Sequence, residues 1–285
     1  MTNRPQNHPE SEQRMQERTP AQSEPTPNDP PWGSLVALLF WVFSVAQIMI
    51  VPMLFLTPYF GIKTLQGWSG EQFQSAVFSD PNAVILALLG TFGAHVLTMI
   101  VGWAIVTRFN KHSFTEVLGW KWGGFKIWHG ALIFVGVYAF AISMTLLLGT
   151  QDNEMQRILN SSRSAVIGVA LIATFSAPIV EEVIYRGVLY SAFQRTFGVP
   201  VAIAAVTVIF ATVHVAQYYP DGATILSIVL LSLVLTLIRA LTGNLLPCVV
   251  FHFVFNGFQS VLLILQPYLP VDLDPTSVQS FYLLN

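Results

Sequence analysis

Two adjacent glutamates, Glu181 and Glu182, lie within an apolar stretch of the chain, and Arg186 follows four residues after the second of them. On a helix, Glu182 and Arg186 share a face and can form an ion pair. Glu181 points about 100° away from Glu182, so it can face a different environment. A free carboxylate in such a position is a candidate general base. The same residues could instead tie two helices together, with no chemical role.

Two further pairs follow, each with the i,i+4 spacing that places both side chains on one helix face. The first is Phe210 with His214, and the second is His252 with Asn256. An imidazole in such a position can hold a water molecule, or it can simply bond to a neighbouring helix. A buried amide can orient a substrate carbonyl or donate to an oxyanion.

Long apolar segments carry all of these residues. The chain has 285 residues, of which 53% are hydrophobic and only 10% are charged, whereas a typical soluble domain has about 25% charged residues. A helix needs about 20 apolar residues to cross a hydrocarbon core of roughly 30 Å. We therefore predict an all-α, polytopic membrane bundle of about seven transmembrane helices, or eight if residues 57–82 contribute one. The predicted spans are 35–56, 83–106, 127–149, 165–190, 199–219, 223–241 and 244–266.

Glu181 and Glu182 are the only acidic residues within these predicted spans. Placing an ionised side chain at the centre of a bilayer costs roughly 2.5–3.5 kcal/mol. Such residues persist where they pair, line a wet cavity or take part in chemistry. The fourth predicted span also contains Pro178, so we expect it to be broken or to end in a polar cavity.

The remaining composition predicts the order and orientation of the parts. Residues 1–31 are polar and rich in Pro, Gln, Glu and Ser, which predicts a disordered cytoplasmic tail. Transmembrane helices over 32–160, a domain over 161–266 that carries the three polar clusters, and a C-terminal tail over 267–285 follow. Lys and Arg predominate on the side of the N-terminus, which predicts that this side is cytoplasmic. Arg239, near the end of the sixth predicted span, is expected to reach the cytoplasmic interface. The net charge of −2 gives no indication of a nucleic-acid partner.

The three polar clusters together resemble a known family. The pattern EExxxR (Glu181, Glu182 and Arg186), then FxxxH (Phe210 and His214), then HxxxN (His252 and Asn256) is similar to that of the CPBP family of intramembrane proteases. That family contains the type II CAAX prenyl endopeptidases, the bacteriocin-processing enzymes and the Abi proteins. Pro178 before the glutamates and Gly187 after Arg186 also fit. The resemblance covers about residues 160–265.

The resemblance implies a role for each motif residue. Glu181 would activate water and His214 would help to hold that water, while Glu182, Arg186 and Phe210 would support the site. His252 and Asn256 would stabilise the developing oxyanion. The expected substrate is a membrane-associated peptide or protein, bound in the lipid bilayer.

We expect the mechanism to need no cofactor. If a divalent metal such as zinc is used, Glu181, His214 and His252 are its candidate ligands, but the sequence contains no HExxH motif.

Other functions remain open from sequence. The same scaffold could serve as a non-proteolytic immunity or partner-binding protein. A proton-relay transporter is disfavoured because no other predicted span has an acidic residue. Nucleophilic catalysis is also disfavoured, because Ser176 has no evident His–Asp partner and nothing in the sequence activates Cys248.

Overall fold

Seven long apolar helices dominate the computed structural model, which describes residues 24–268. Each is long and apolar enough to cross a membrane, which confirms the predicted all-α polytopic bundle. We number them span 1 to span 7 in chain order. Their bounds are Ser34–Leu65, Pro81–Thr107, Ile127–Leu148, Arg163–Phe197, Val199–Tyr218, Gly222–Thr242 and Leu246–Tyr268.

Short helices connect the spans. They are Gly70–Ser79, Phe114–Leu118 and Glu154–Ser161, and a 3-10 turn over Gln266–Tyr268 ends the last span. The helix Gly70–Ser79 is the element that the sequence allows between the first two spans. It has 10 residues, about 15 Å of helix, which is too short to cross a bilayer, so the described chain has seven candidate spans and no eighth.

Span 4 is one continuous helical rod with two wide turns in it. Its α-helical segments Arg163–Leu171, Ala177–Glu182 and Tyr190–Phe197 are joined by π-helical segments over Ile172–Ser176 and Val183–Leu189. Pro178 lies just after the first wide segment, and its missing N–H and its ring disfavour a regular helix through that point. The predicted irregularity is therefore present, but the helix widens instead of breaking. Wide turns of this kind occur frequently at functional sites.

Spans 1 and 2 pack closely through a glycine. A Cβ atom added at Gly90 would lie 2.5 Å from the Pro52 Cα, so only glycine permits this approach. Span 3 packs against span 6, where Val137 and Ala141 meet Leu235 and Ile238. Spans 4 to 7 enclose the buried polar residues of the motifs.

The segment before span 1 differs from the sequence prediction. Residues 24–32, which we call the N-terminal strap, lie against the bundle, although the sequence predicts disorder through residue 31. Arg195 donates to the carbonyls of Pro30 and Trp32, and Arg239 donates to the carbonyl of Pro27. A proline has no N–H but retains its carbonyl, so the composition that suggests disorder also supplies acceptors for these arginines. The rest of the two predicted tails, residues 1–23 and 269–285, lies outside the described residues.

Candidate active site

Glu182 is the buried centre of the motif residues. Its side chain is 0% exposed, and a single oxygen, Oε1, accepts from both Arg186 and His252 at 2.9 Å. Its second oxygen, Oε2, has no hydrogen-bond partner among residues 24–268. The ion pair predicted from the i,i+4 spacing is thus present, and the carboxylate also contacts span 7.

Arg186 is bound on all sides of its guanidinium. Besides Glu182, it donates from Nε to Thr236 Oγ1 at 3.2 Å and from a terminal nitrogen to the carbonyl and hydroxyl of Ser232 at 2.9 and 3.0 Å. Its charge also lies over the ring of Phe210, 4.7 Å from the centroid. A guanidinium held in this way has a structural role, and it joins span 4 to spans 5 and 6.

His252 lies between the two glutamates. A carboxylate only accepts, so the short contact to Glu182 makes Nδ1 the donor, with the Nδ1 proton on the ring. Such a carboxylate contact fixes the tautomer and the orientation of an imidazole. The other nitrogen, Nε2, is 3.9 Å from Glu181 Oε2. This distance is longer than a direct hydrogen bond, so the two groups can face a common reacting atom.

Glu181 has a different environment from its neighbour. Its side chain is 21% exposed, against 0% for Glu182. Three polar side chains lie close enough to interact electrostatically with its carboxylate: His95 of span 2, Tyr185 of span 4 and Tyr218 of span 5. Both glutamates lie in the α-helical segment Ala177–Glu182, where adjacent side chains point about 100° apart.

His214 and Phe210 form a stacked pair on span 5. The rings are 4.5 Å apart at an interplanar angle of 28°, and Phe210 also packs edge-on against Tyr185. His214 Nδ1 donates to the Phe210 carbonyl at 2.8 Å, so its Nε2 is the atom available to a substrate or water. His214 lies beside the site because its ring stacks on that of Phe210. Among the described residues it makes no direct bond to Glu181.

Asn256 does not have a free amide. Its Nδ2 donates to the carbonyl of Ala173 at 2.8 Å, within the first wide segment of span 4, while its buried Oδ1 has no partner among residues 24–268. The amide nitrogen has a second N–H, which is the atom left for an oxyanion. The unpredicted contact explains how the wide segment is held: Asn256 binds a carbonyl there that a regular helix would satisfy internally.

A second polar pair was not predicted. Ser176 is 2.9 Å from His95 Nδ1, although 81 residues separate them in sequence, so the serine does have an imidazole neighbour. Ser176 Oγ also donates to the Ile172 carbonyl at 3.2 Å. Both residues line an open cavity of about 420 Å³ between spans 2 and 4, which extends to Val180, next to Glu181. The one sequence signal that could have pointed here is the presence of a histidine, His95, within the second predicted span.

The candidate metal ligands are not gathered as a set. Among residues 24–268, no three His, Cys, Asp or Glu side chains are placed to hold one ion together. His214 Nδ1 and His252 Nδ1 are both engaged by protein oxygens, so a ligand role would fall to their Nε2 atoms.

Comparison with known proteins gives one match. Residues 163–258 match the family described as type II CAAX prenyl endopeptidase Rce1-like. No curated protein and no solved structure matches the chain. The matched segment runs from the start of span 4 into span 7 and contains every motif residue described above. The match supports a CAAX-type intramembrane endopeptidase in general and a multi-pass membrane protein that acts on a membrane-associated protein. Residues 163–258 of this chain are thus similar to the type II CAAX prenyl endopeptidases.

Proposed function

We propose that the protein is a glutamate-dependent intramembrane endopeptidase whose N-terminus is cytoplasmic. The observation that carries this proposal is the asymmetry of the two glutamates: Glu182 is buried against Arg186 and His252, whereas Glu181 is partly exposed beside the free nitrogen of His252. A partly exposed carboxylate next to an oriented imidazole provides a base and a second polar group at one reacting atom.

The reaction follows from these positions. Glu181 takes a proton from a water molecule, and the water oxygen bonds to the carbonyl carbon of the substrate peptide. His252 donates from Nε2 to the developing oxyanion; for this the ring must hold both protons, with Glu182 accepting from Nδ1. The second N–H of Asn256 donates to the same oxygen. The C–N bond then breaks, and the proton held by Glu181 passes to the leaving amine.

His214 completes the proposed site from span 5. Its Nδ1 is occupied by the Phe210 carbonyl, so Nε2 would hold the attacking water. Water held between a carboxylate and an imidazole needs no metal. Zinc on Glu181, His214 and His252 would be a different mechanism, with the Nε2 atoms as ligands, and removal of metal by a chelator distinguishes the two: the proposed mechanism keeps its full rate.

The test compares new protein N-termini in membranes that contain the wild-type chain or Glu181→Gln. Glutamine keeps the size of the side chain and removes the base, so we expect cleavage to fall roughly 10²–10⁴-fold. N-terminal labelling and mass spectrometry would then find termini from membrane proteins in the wild-type sample alone. Equal sets of termini in the two samples would contradict the proposal and favour a non-proteolytic scaffold.

Ser176→Ala is the matched control for the nucleophilic alternative. The Ser176–His95 contact has the distance expected of a nucleophile and its base. However, Ser176 also donates to the Ile172 carbonyl, so His95 is the donor in their contact and cannot accept the serine proton there. We expect Ser176→Ala to cleave at the wild-type rate; loss of cleavage in this variant but not in Glu181→Gln would assign the reaction to the serine.

A further inference from the structure

The N-terminal strap is fastened to three spans of the bundle. Arg108 at the end of span 2 donates to the carbonyl of Pro31. Arg195 near the end of span 4 donates to two strap carbonyls and to Asp29, and Gln194 donates to the carbonyl of Asn28. From sequence, Lys and Arg residues serve here only to predict orientation, but in the structure these two arginines bind the strap.

One strap residue binds the wide segment that carries Arg186. The indole Nε1 of Trp32 donates to the carbonyl of Val188 at 3.1 Å, and the tryptophan is buried. Val188 lies two residues after Arg186 within Val183–Leu189. π-helical segments are rare within α-helices, and the Trp32 donor gives this one an external hydrogen bond that holds it in place.

The other end of the strap binds span 6. Arg239 is 1% exposed, and it donates to the Pro27 carbonyl at 2.6 Å and to Asn28 Oδ1 at 3.2 Å. It lies three residues after Thr236, about 4.5 Å along the helix from the residue that accepts from Arg186. Its charge also lies over Tyr190, which is four residues after Arg186. In the described part of the chain, Arg239 has no carboxylate partner, so the neutral strap acceptors are its main hydrogen-bond partners.

We propose that the N-terminal strap is a positioning element of the active site. It binds both helices whose side chains meet at Arg186, span 4 through Trp32 and span 6 through Asn28, and it thereby fixes how these helices lie against each other. None of its hydrogen bonds among residues 24–268 goes to Glu181, His252 or Asn256, so it acts through the helices that carry them. The strap lies outside residues 163–258, so the segment that matches the family is incomplete as a catalytic unit without it. Its effect on catalysis rests on the proposed function, but its effect on helix position does not.

Cys248 provides a reporter of helix position that is independent of proteolysis. It is the only cysteine in the chain, it is fully buried between spans 6 and 7, and its thiol contacts the carbonyl of Leu235. Glu182, Arg186 and Arg239 lie close enough to interact with this thiol electrostatically. Because span 6 covers the Cys248 thiol, maleimide labelling of Cys248 in the native protein measures how often span 6 moves out of the position that the strap is proposed to fix.

The experiment measures this labelling rate in the full chain and in two strap variants. Trp32→Phe keeps the aromatic ring but removes the donor to Val188, and we expect labelling to rise about fivefold, the effect of one hydrogen bond. Deletion of residues 1–31 leaves Arg239 buried without its strap acceptors, and we expect a rise on the order of 100-fold. The controls are Trp128→Phe, an exposed tryptophan of span 3, and deletion of residues 1–23, which keeps the strap.

Hydrogen exchange separates positioning from general destabilisation. In Trp32→Phe, amides of Val183–Leu189 should exchange faster while those of span 3 stay unchanged, and kcat should fall with KM unaltered. Equal Cys248 labelling in Trp32→Phe and wild type, or an equal rise in Trp128→Phe, would overturn the proposal. If the wild-type chain cleaves nothing, the proposed function fails, and the labelling and exchange results still decide whether the strap positions the helices.

Discussion

Two regions of the bundle are each organised around a buried guanidinium, and they differ in the groups that accept its hydrogen bonds. Arg186 in span 4 is neutralised by Glu182, one helical turn away, and its other donors go to span 6. Among residues 24–268, Arg239 in span 6 has only neutral acceptors, and these come from a segment more than 200 residues earlier in the chain. The first region is therefore held by a charge pair within one helix, and the second by neutral oxygens of a segment that is distant in sequence. Charge pairing suits the region where a carboxylate must orient His252, whereas neutral acceptors suit a region that only fastens a segment.

Removal of Arg186 tests this difference most severely. In Arg186→Met, the Glu182 carboxylate stays buried without its cation, and breaking such a pair costs roughly 3–5 kcal/mol. We expect the free energy of unfolding in detergent, measured by titration with sodium dodecyl sulfate, to fall by that amount. A loss below about 1 kcal/mol would mean that the ion pair is not what holds this region together.

Thr236→Val tests the bonds that Arg186 makes to span 6. The variant is nearly isosteric, but it leaves the Arg186 Nε without its acceptor, which we expect to cost about 1–3 kcal/mol of unfolding free energy. Thr207→Val is the matched control in span 5, because the buried Thr207 hydroxyl has no hydrogen-bond partner among the described residues. The comparison breaks down if the two substitutions change the unfolding free energy equally.

Arg239→Met should have the smallest effect of the three on unfolding. It removes a cation that has no carboxylate partner in the part of the chain that the structure describes, so no opposite charge is left buried there. Apolar replacement of a buried charge is often close to neutral. We expect the free energy of unfolding to change by about 1 kcal/mol or less. A change as large as that of Arg186→Met would show that the two guanidinium regions are equivalent after all.

Most of the first region could be predicted from sequence because its key contacts are local or repeat at helical spacing. The i,i+4 interval gave the Glu182–Arg186 pair, and apolar length gave the spans. The sequence could not show that His252 shares the same Glu182 oxygen as Arg186, because that contact joins residues 70 positions apart. Nor could it show that the Asn256 amide binds Ala173, since this depends on a wide segment whose position only packing decides.

The second region escaped prediction for a different reason. Asn28 and Arg239 are 211 positions apart, and the strap has no hydrophobic period that would assign it to a helix or a strand. Its polar, proline-rich composition is typical of disordered chains. The Arg239 side chain was expected at the membrane interface and is instead buried under the strap. Composition indicates whether a segment folds on its own. It does not indicate that the carbonyls of the strap bind an arginine of a distant helix.

The wide segments of span 4 also have a consequence for how the family's motif is inherited. A π-helical turn contains one residue more than an α-helical turn closed by the same kind of bond, and each added residue rotates everything after it by about 100°. A relative that kept the letters EExxxR but lost the segment over Ile172–Ser176 would preserve the spacing of the motif while turning both glutamates toward another helix. Among distant relatives, the motif letters therefore predict the same site only where the helix turns the glutamates in the same direction. The number of residues between Arg163 and Glu181 determines that direction.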